Sequence, residues 1–199
     1  KYPNPSVTAD VLVIQLPKET TTVERGLKLL MIKRRNHLSI GHYALPGGFV
    51  DIRESIDNAA KRELYEETGL KDINVEQLHC FGDYDRDPRT RIVTVSYLAL
   101  IEEEIEVKAG DDASEALWMD IIFQKEDYER AADGRIFNRY FLQLNNADQN
   151  IKLNATVEVS FNKEGLLKQV DYKVIKTNQI AFDHPSFIVQ ALLYLQSLM

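Results

Sequence analysis

The segment from Ser55 to Gly69 constrains this chain more than any other. Ser55 stands as an N-cap, Ile56, Ala60 and Leu64 recur at four-residue intervals, and Gly69 sits where a helix needs a left-handed residue to stop. These local signals predict a helix over 55–68. On it, Glu63 and Glu67 lie four residues apart and stack on one face, and Glu66 flanks them. Each like-charged pair costs a helix about 0.2–0.5 kcal/mol, and Glu66 and Glu67 also stand near the C-terminal end, where the macrodipole disfavours anions. Carboxylates crowded where helix physics resists them point to a cation that reverses the local sign. Oxygen-only ligands point to Mg²⁺ or Mn²⁺. Just upstream, Leu45-Pro46-Gly47-Gly48 puts two glycines where the backbone can come close to a metal or a phosphate, with a glycine carbonyl as a possible further ligand.

The rest of the chain bounds the setting. At 199 residues with 44% apolar and 28% charged residues, it suits one folded domain with room for a small appendage. A formal net charge of −7 does not suggest a diffuse nucleic-acid-binding surface, so a phosphate-bearing ligand must meet local positive charge or metal. Cys80 is the single cysteine, which rules out an intrachain disulfide and a Cys-based zinc site and suggests a reducing cytoplasm. No run approaches the roughly 20 apolar residues of a membrane span, and no signal-peptide stretch opens the sequence.

Apolar and β-branched patterning predicts strands over 7–16 and 27–34, forming a first hairpin-like pair, and further strands over 74–81, 91–101 and 116–119. A polar loop covers 82–90, and a short helix is expected over 125–132. Residues 153–161 and 166–176 alternate around Asn162-Lys163-Glu164-Gly165, a hairpin pattern. Pro185 opens a last amphipathic helix over 186–198. Strands on both sides of a helix indicate a mixed α/β sandwich.

Read from Gly48, the spacing is G-x5-E-x7-R-E-U-x-E-E-x-G-U, with U aliphatic. Gly48, Glu54, Arg62, Glu63, Leu64, Glu66, Glu67, Gly69 and Leu70 satisfy every defined position. This resembles the complete box of the Nudix hydrolase family. The resemblance implies an α/β/α sandwich with a mixed sheet over 1–134. An additional β-rich insertion or dimerisation hairpin would follow over 135–180, and a terminal helix would pack on the core over 181–199. It also implies that Glu63, Glu66 and Glu67, with the Gly47 carbonyl, hold the metal, Mg²⁺ or Mn²⁺, while Glu54 and Arg62 support them. Arg62 would orient a box carboxylate through a forked contact.

Outside the box, the stretches at 5–10, 81–89, 93–97 and 181–184 resemble bacterial ADP-ribose pyrophosphatases and the Nudix domain of Nudix-related transcriptional regulators. The expected reaction is cleavage of ADP-ribose to AMP and ribose 5-phosphate, in a cytoplasmic homodimer acting on a small nucleotide. Arg86, Arg89 and Arg91 suit diphosphate and ribose oxygens; an exposed turn in which Asp85 and Asp87 neutralise them is the competing reading. Glu115 resembles a position where some relatives place an extra metal ligand or base, against plain solvent exposure. Trp118 and Tyr97 are read as core, Phe49 as packing, and His37, His42, His79 and His184 as structural, since none has zinc spacing. The rivals are a ligand-sensing regulator domain and a nucleoside triphosphate pyrophosphatase. The regulator expects a basic winged helix after residue 185, but residues 186–199 contain no Lys or Arg, so nucleic acid is an unexpected partner for this chain.

Overall fold

A computed structural model describes residues 4–35, 39–110, 113–162 and 170–199. In chain order these hold β1 (Ser6–Gln15), β2 (Lys28–Arg34), β3 (Tyr43–Ala44), β4 (Gly47–Phe49), α1 (Ile56–Thr68), β5 (Glu76–Phe81), β6 (Ile92–Ile101), β7 (Ala113–Arg130), β8 (Arg135–Asn146), β9 (Ile151–Asn162), β10 (Val170–Thr177) and α2 (His184–Leu198). The strands form one mixed sheet in the order β10-β9-β8-β7-β2-β1-β6-β5, with β3 on β2 and β4 on β1.

β1 is the organising strand. It pairs in parallel with β6 along its whole length, from Ser6 opposite Ile92 to Gln15 opposite Ile101. On its other edge the partner changes. β2 pairs antiparallel at Ile14 and Gln15, while β4 takes over at Thr8, Ala9 and Asp10. That fork lays Gly47 and Gly48 directly beside Asp10 and Ala9.

The period-two alternation of β1 sorts its side chains between two cores. Ala9, Val11 and Val13 join Ala59, Ala60 and Leu64 of α1, with Val95, Tyr97 and Trp118. Leu12 and Ile14 face the opposite side and join Phe187, Ile188, Leu192 and Leu195 of α2. The sheet is thus covered by a helix on each face, as an α/β/α sandwich requires. Tyr97 and Trp118 are core residues, and the Tyr97 hydroxyl also donates to the Asp57 carboxylate.

Two outcomes depart from the sequence expectations. Residues 125–132 were expected to be a helix, but β7 runs unbroken to Arg130. Its second half pairs with β8, from Lys125 opposite Tyr140 to Arg130 opposite Ile136, across a bulge between Lys125 and Asp127. Lys, Glu and Arg favour a helix intrinsically, but propensity is a small bias, and a ladder formed with a neighbouring strand overrides it. β8 itself went unpredicted. The hairpin expected at 153–176 is present as antiparallel β9 and β10, and its Lys163-Glu164-Gly165 turn lies outside the described residues.

The two ends of the strand order come within side-chain contact. Tyr172 of β10 meets His79 and Phe81 of β5 with ring centroids 6.4 Å apart in each case, and Phe81 stacks on Phe187 of α2 at 4.0 Å. The sheet therefore curls around α2. No helix among the described residues is long and apolar enough to cross a membrane.

Candidate functional site

α1 is built as its sequence dictates. The Ser55 hydroxyl accepts from the Asn58 N–H at 3.3 Å, and Gly69 closes the helix in the left-handed region at φ 74° with its N–H on the Tyr65 carbonyl. A second device holds the same end. Lys108 and Gly110 donate their backbone N–H groups to the Thr68 and Glu67 carbonyls at 3.0 and 3.1 Å, satisfying acceptors that a helix C-terminus leaves open.

Arg62 gathers the acidic groups. Its guanidinium forks onto Glu54, Nε to Oε1 at 3.0 Å and Nη2 to Oε2 at 2.9 Å, and Nη1 donates to Glu63 at 2.7 Å and Glu66 at 3.0 Å. Nη2 also donates to the Phe49 carbonyl at 3.0 Å, tying the glycine loop to the helix. The forked contact is therefore to Glu54, while Glu63 and Glu66 each receive a single bond. Glu67 accepts from the Gly47 N–H at 2.8 Å.

Gly48 packs so closely on the Glu63 carboxylate that a Cβ would stand 2.5 Å from it. Gly47 similarly lies on Ala9 and Asp10, where an added Cβ would come 2.7 Å from Asp10 Oδ1. The two glycines thus keep the acid groups accessible from a cleft of about 320 Å³. Glu63, Glu67 and Asp10 line it together with Arg34, Arg86, Arg89, Phe49, Phe182 and His184.

The cleft is lined by both signs of charge. Among the acids, burial is the first cause of raised carboxyl pKa values: Glu67 is pushed up to about 8 and Asp10 to about 7, and Glu63 is raised as well. Among the bases, Arg89 lies over the Phe49 and Phe182 rings at 5.5 and 5.0 Å, and Arg34 lies over Phe182 at 5.2 Å. Arg89 is itself oriented by Asp87 through Nε and Nη2. A chain of net charge −7 therefore still presents local cations where a phosphate could enter.

The structure brings together Gly47, Gly48, Arg62, Glu63, Glu67, Arg86 and Arg89, all of which line the cleft. Glu54 reaches them through Arg62, and Glu66 lies on the exposed flank, half open to solvent. Arg86 forks onto Asp183, Nε to Oδ2 at 2.8 Å and Nη2 to Oδ1 at 2.6 Å, and gives Nη1 to Thr94. Arg91 donates to the Asp83 carbonyl and Glu115 pairs with Lys33 at 3.0 Å; neither is among the cleft-lining residues. His79 is aromatic packing against Phe81, His184 is part of the cleft, and His37 falls outside the described residues.

The sequence named none of Asp10, Thr8, Arg34, Asp87, Thr94, Phe182 and His184 as site residues; it read His184 as structural and Asp87 as a neutraliser of the neighbouring arginines. One signal was legible: an aspartate in the apolar run Val7–Ile14 must be buried at a cost unless it has a task. His184 is buried and its pKa is pushed down to about 3, by desolvation first and then by Arg86, Arg34 and Arg89. Its Nδ1 accepts the Leu45 N–H at 3.0 Å, so the neutral ring carries its proton on Nε2.

Comparison with known proteins agrees with this geometry. The NUDIX domain family model matches residues 9–143. An ADP-ribose pyrophosphatase of Methanocaldococcus jannaschii is 37% identical over 120 residues, covering 60% of this chain and 64% of that protein. An ADPR responsive transcriptional repressor NtrR of Acinetobacter baylyi is 33% identical over 149 residues, covering 69% of this chain and 57% of that protein. The crystal structure of a MutT/nudix family protein from Enterococcus faecalis superposes with a TM-score of 0.69 at 34% identity, over 99% of this chain and 64% of that one. The chain thus spans less than two thirds of the length of each of these relatives. With the family model covering most of the chain and the box carboxylates meeting the glycine loop at a cleft, the chain belongs to the Nudix family.

Proposed function

We propose that this chain hydrolyses the diphosphate of a nucleoside diphosphate linked to a second moiety, with ADP-ribose, giving AMP and ribose 5-phosphate, as the foremost substrate. The observation that carries the reading is one cleft lined by Glu63 and Glu67 together with Arg34 and Arg89, since a diphosphate bound by cations needs both.

The donor set suits a hard dication. All its members are oxygens, and Gly48 reserves the space beside the Glu63 carboxylate that any larger residue would fill. Among the described residues no three acidic, His or Cys groups form a ready-made cage. Mg²⁺ does not require one, because it commonly binds through one or two carboxylates and substrate phosphates while keeping several waters. Glu63 and Glu67 are the proposed holders, with the Gly47 carbonyl and Glu66 as further ligands. When bound, such an ion supplies Lewis acidity toward phosphate oxygens and makes water nucleophilic near neutral pH.

The chain's own residues do the rest. Arg62 fixes Glu63 relative to the glycine loop, Arg89 offers its remaining donors to phosphate from an aromatic bed, and Arg86 orders the floor through Asp183. Glu115 and Arg91 are retained as a candidate base and a candidate substrate contact. A homodimer is part of the proposal, supported by the fully exposed Ile52 next to the cleft-lining Asp51.

A purified-protein screen with Mg²⁺ or Mn²⁺ against ADP-ribose, dinucleoside polyphosphates, NADH and nucleoside triphosphates tests the reading. ADP-ribose is expected to be cleaved fastest. Faster cleavage of triphosphates would transfer the chain to the triphosphate pyrophosphatases. The match to the A. baylyi repressor, which covers more of this chain than the match to the pyrophosphatase, favours a second reading as an ADP-ribose-sensing domain. Tight ADP-ribose binding without turnover would establish it.

A further inference from the structure

We infer that Asp10 and His184 together form a seat for a single hydroxyl group at the floor of the cleft and, on the functional reading proposed above, that the hydroxyl belongs to a ribose of the substrate. Asp10 is only 7% exposed and lines the cleft, yet its carboxylate has no hydrogen-bond donor within bonding distance among the described residues. His184 Nε2 stands 3.9 Å from its Oδ1. An acceptor that faces the cleft without a protein donor takes its hydrogen-bond partner from whatever occupies the cleft.

The chemistry of the gap selects that partner. His184 Nδ1 is committed to accepting the Leu45 N–H, so Nε2 is a donor facing Asp10. Donor and acceptor stand too far apart for a direct bond. A group placed between them must accept from the imidazole and donate to the carboxylate at once. To the ionised Asp10 carboxylate a phosphate oxygen offers no proton, and an ammonium has no lone pair for the imidazole; a hydroxyl has both. With bonds of about 2.9 and 2.7 Å, a bridging oxygen closes a triangle on the 3.9 Å base with an angle near 90°.

The neighbouring polar groups are already partnered. Thr8 and Thr94 bond each other through their hydroxyls, and Arg86 is bound to Asp183 and Thr94. Gly47 leaves Asp10 Oδ1 uncovered, where a Cβ would come within 2.7 Å of it. His184 lies beyond the residues 9–143 matched by the family model, so one half of the seat comes from outside the matched segment.

The test is calorimetric binding of ADP-ribose, in EDTA so that nothing turns over, beside four analogues that each lack one hydroxyl, at the 2- or 3-position of either ribose. For the unmodified protein, one analogue is expected to bind on the order of 10- to 100-fold more weakly, as when a buried pair is left unmade. In Asp10→Ala that penalty should fall below about threefold, while Asp10→Asn, which keeps an acceptor oxygen, should retain most of it. If all four analogues bind the unmodified protein within twofold of ADP-ribose, the seat holds only water and the inference is overturned, whether or not either variant folds. A penalty undiminished in Asp10→Ala overturns it equally. Failure of ADP-ribose to bind in EDTA and also to bind or be cleaved with Mg²⁺ overturns the functional reading, and the ribose assignment with it.

Discussion

Glu67→Gln should make the metal-free protein more stable with rising pH, relative to the parent, while abolishing turnover. The Glu67 carboxyl is 8% exposed and its pKa rises from an ordinary 4.5 to about 8, chiefly because burial penalises the charge. Between those two values the folded state binds more protons than the unfolded state, so stability declines as pH climbs through the window and is undiminished below it. At about 1.4 kcal/mol per unit, the decline between pH 5 and pH 8 comes to about 3 kcal/mol. Glutamine keeps an oxygen for the Gly47 N–H and has no charge to bury, so it escapes the decline. For a domain of this length, about 3 kcal/mol corresponds to about 6–12 °C in Tm. Differential scanning fluorimetry in EDTA, at pH 5 and pH 8, reads the variant-minus-parent difference at each pH. Taking the change between the two cancels any pH-independent cost of the amide. A difference that stays flat, or moves the other way, would show that Glu67 is not held uncompensated by burial, and the case for a cation at that position would lose its main support.

Further consequences can be measured separately. Gly48→Ala places a methyl group against the Glu63 carboxylate and should cut kcat by at least tenfold with a Tm change of only a few degrees, as read by steady-state kinetics and melting. Arg86→Ala strands the part-buried Asp183 carboxylate and should destabilise the fold by about 1–3 kcal/mol in urea titration, most of it recovered in the double variant with Asp183→Asn. Gly110→Ala drives a methyl group into the Glu66 carbonyl, so the Lys108–Gly110 segment must lift from α1; amide exchange at Thr68 and Gly69 should speed up before exchange elsewhere in the helix. Ile52→Asp should return a monomer in solution scattering if the exposed Ile52 is covered by a second subunit.

The parts of this molecule that were legible in the sequence are those specified locally. Ser55 and Gly69 mark both ends of α1 without reference to anything distant, and the four-residue spacing of Glu63 and Glu67 follows once the helix exists. β1, β2, β5 and β6 announced themselves through apolar and β-branched patterning. The second half of β7 carried no such signal, because Lys125–Arg130 is exposed and is held by pairing with the next strand, β8. β8 did carry one, since Ile136, Asn138, Tyr140, Leu142 and Leu144 alternate inward, but five residues at period two were hidden among Arg, Asn and Gln. The site divides along the same line. The Glu and Gly residues of one short segment could be found by spacing, whereas Asp10, Arg34, Phe182 and His184 converge from three separate stretches and only the sheet's fork and α2 bring them together.

The curl that carries β5 and β10 toward each other around α2 makes the last helix a lever on the cleft. Nine of its fifteen residues are buried, and its first turn supplies His184, while Asp183 just before it anchors Arg86. A displacement of α2 by a fraction of a turn would therefore withdraw the imidazole from Asp10 and slacken the guanidinium beside it. Linkage makes the relation run both ways: a molecule bound in the cleft must hold α2 more tightly in the curl, and whatever grips that helix must change how firmly the cleft holds its ligand.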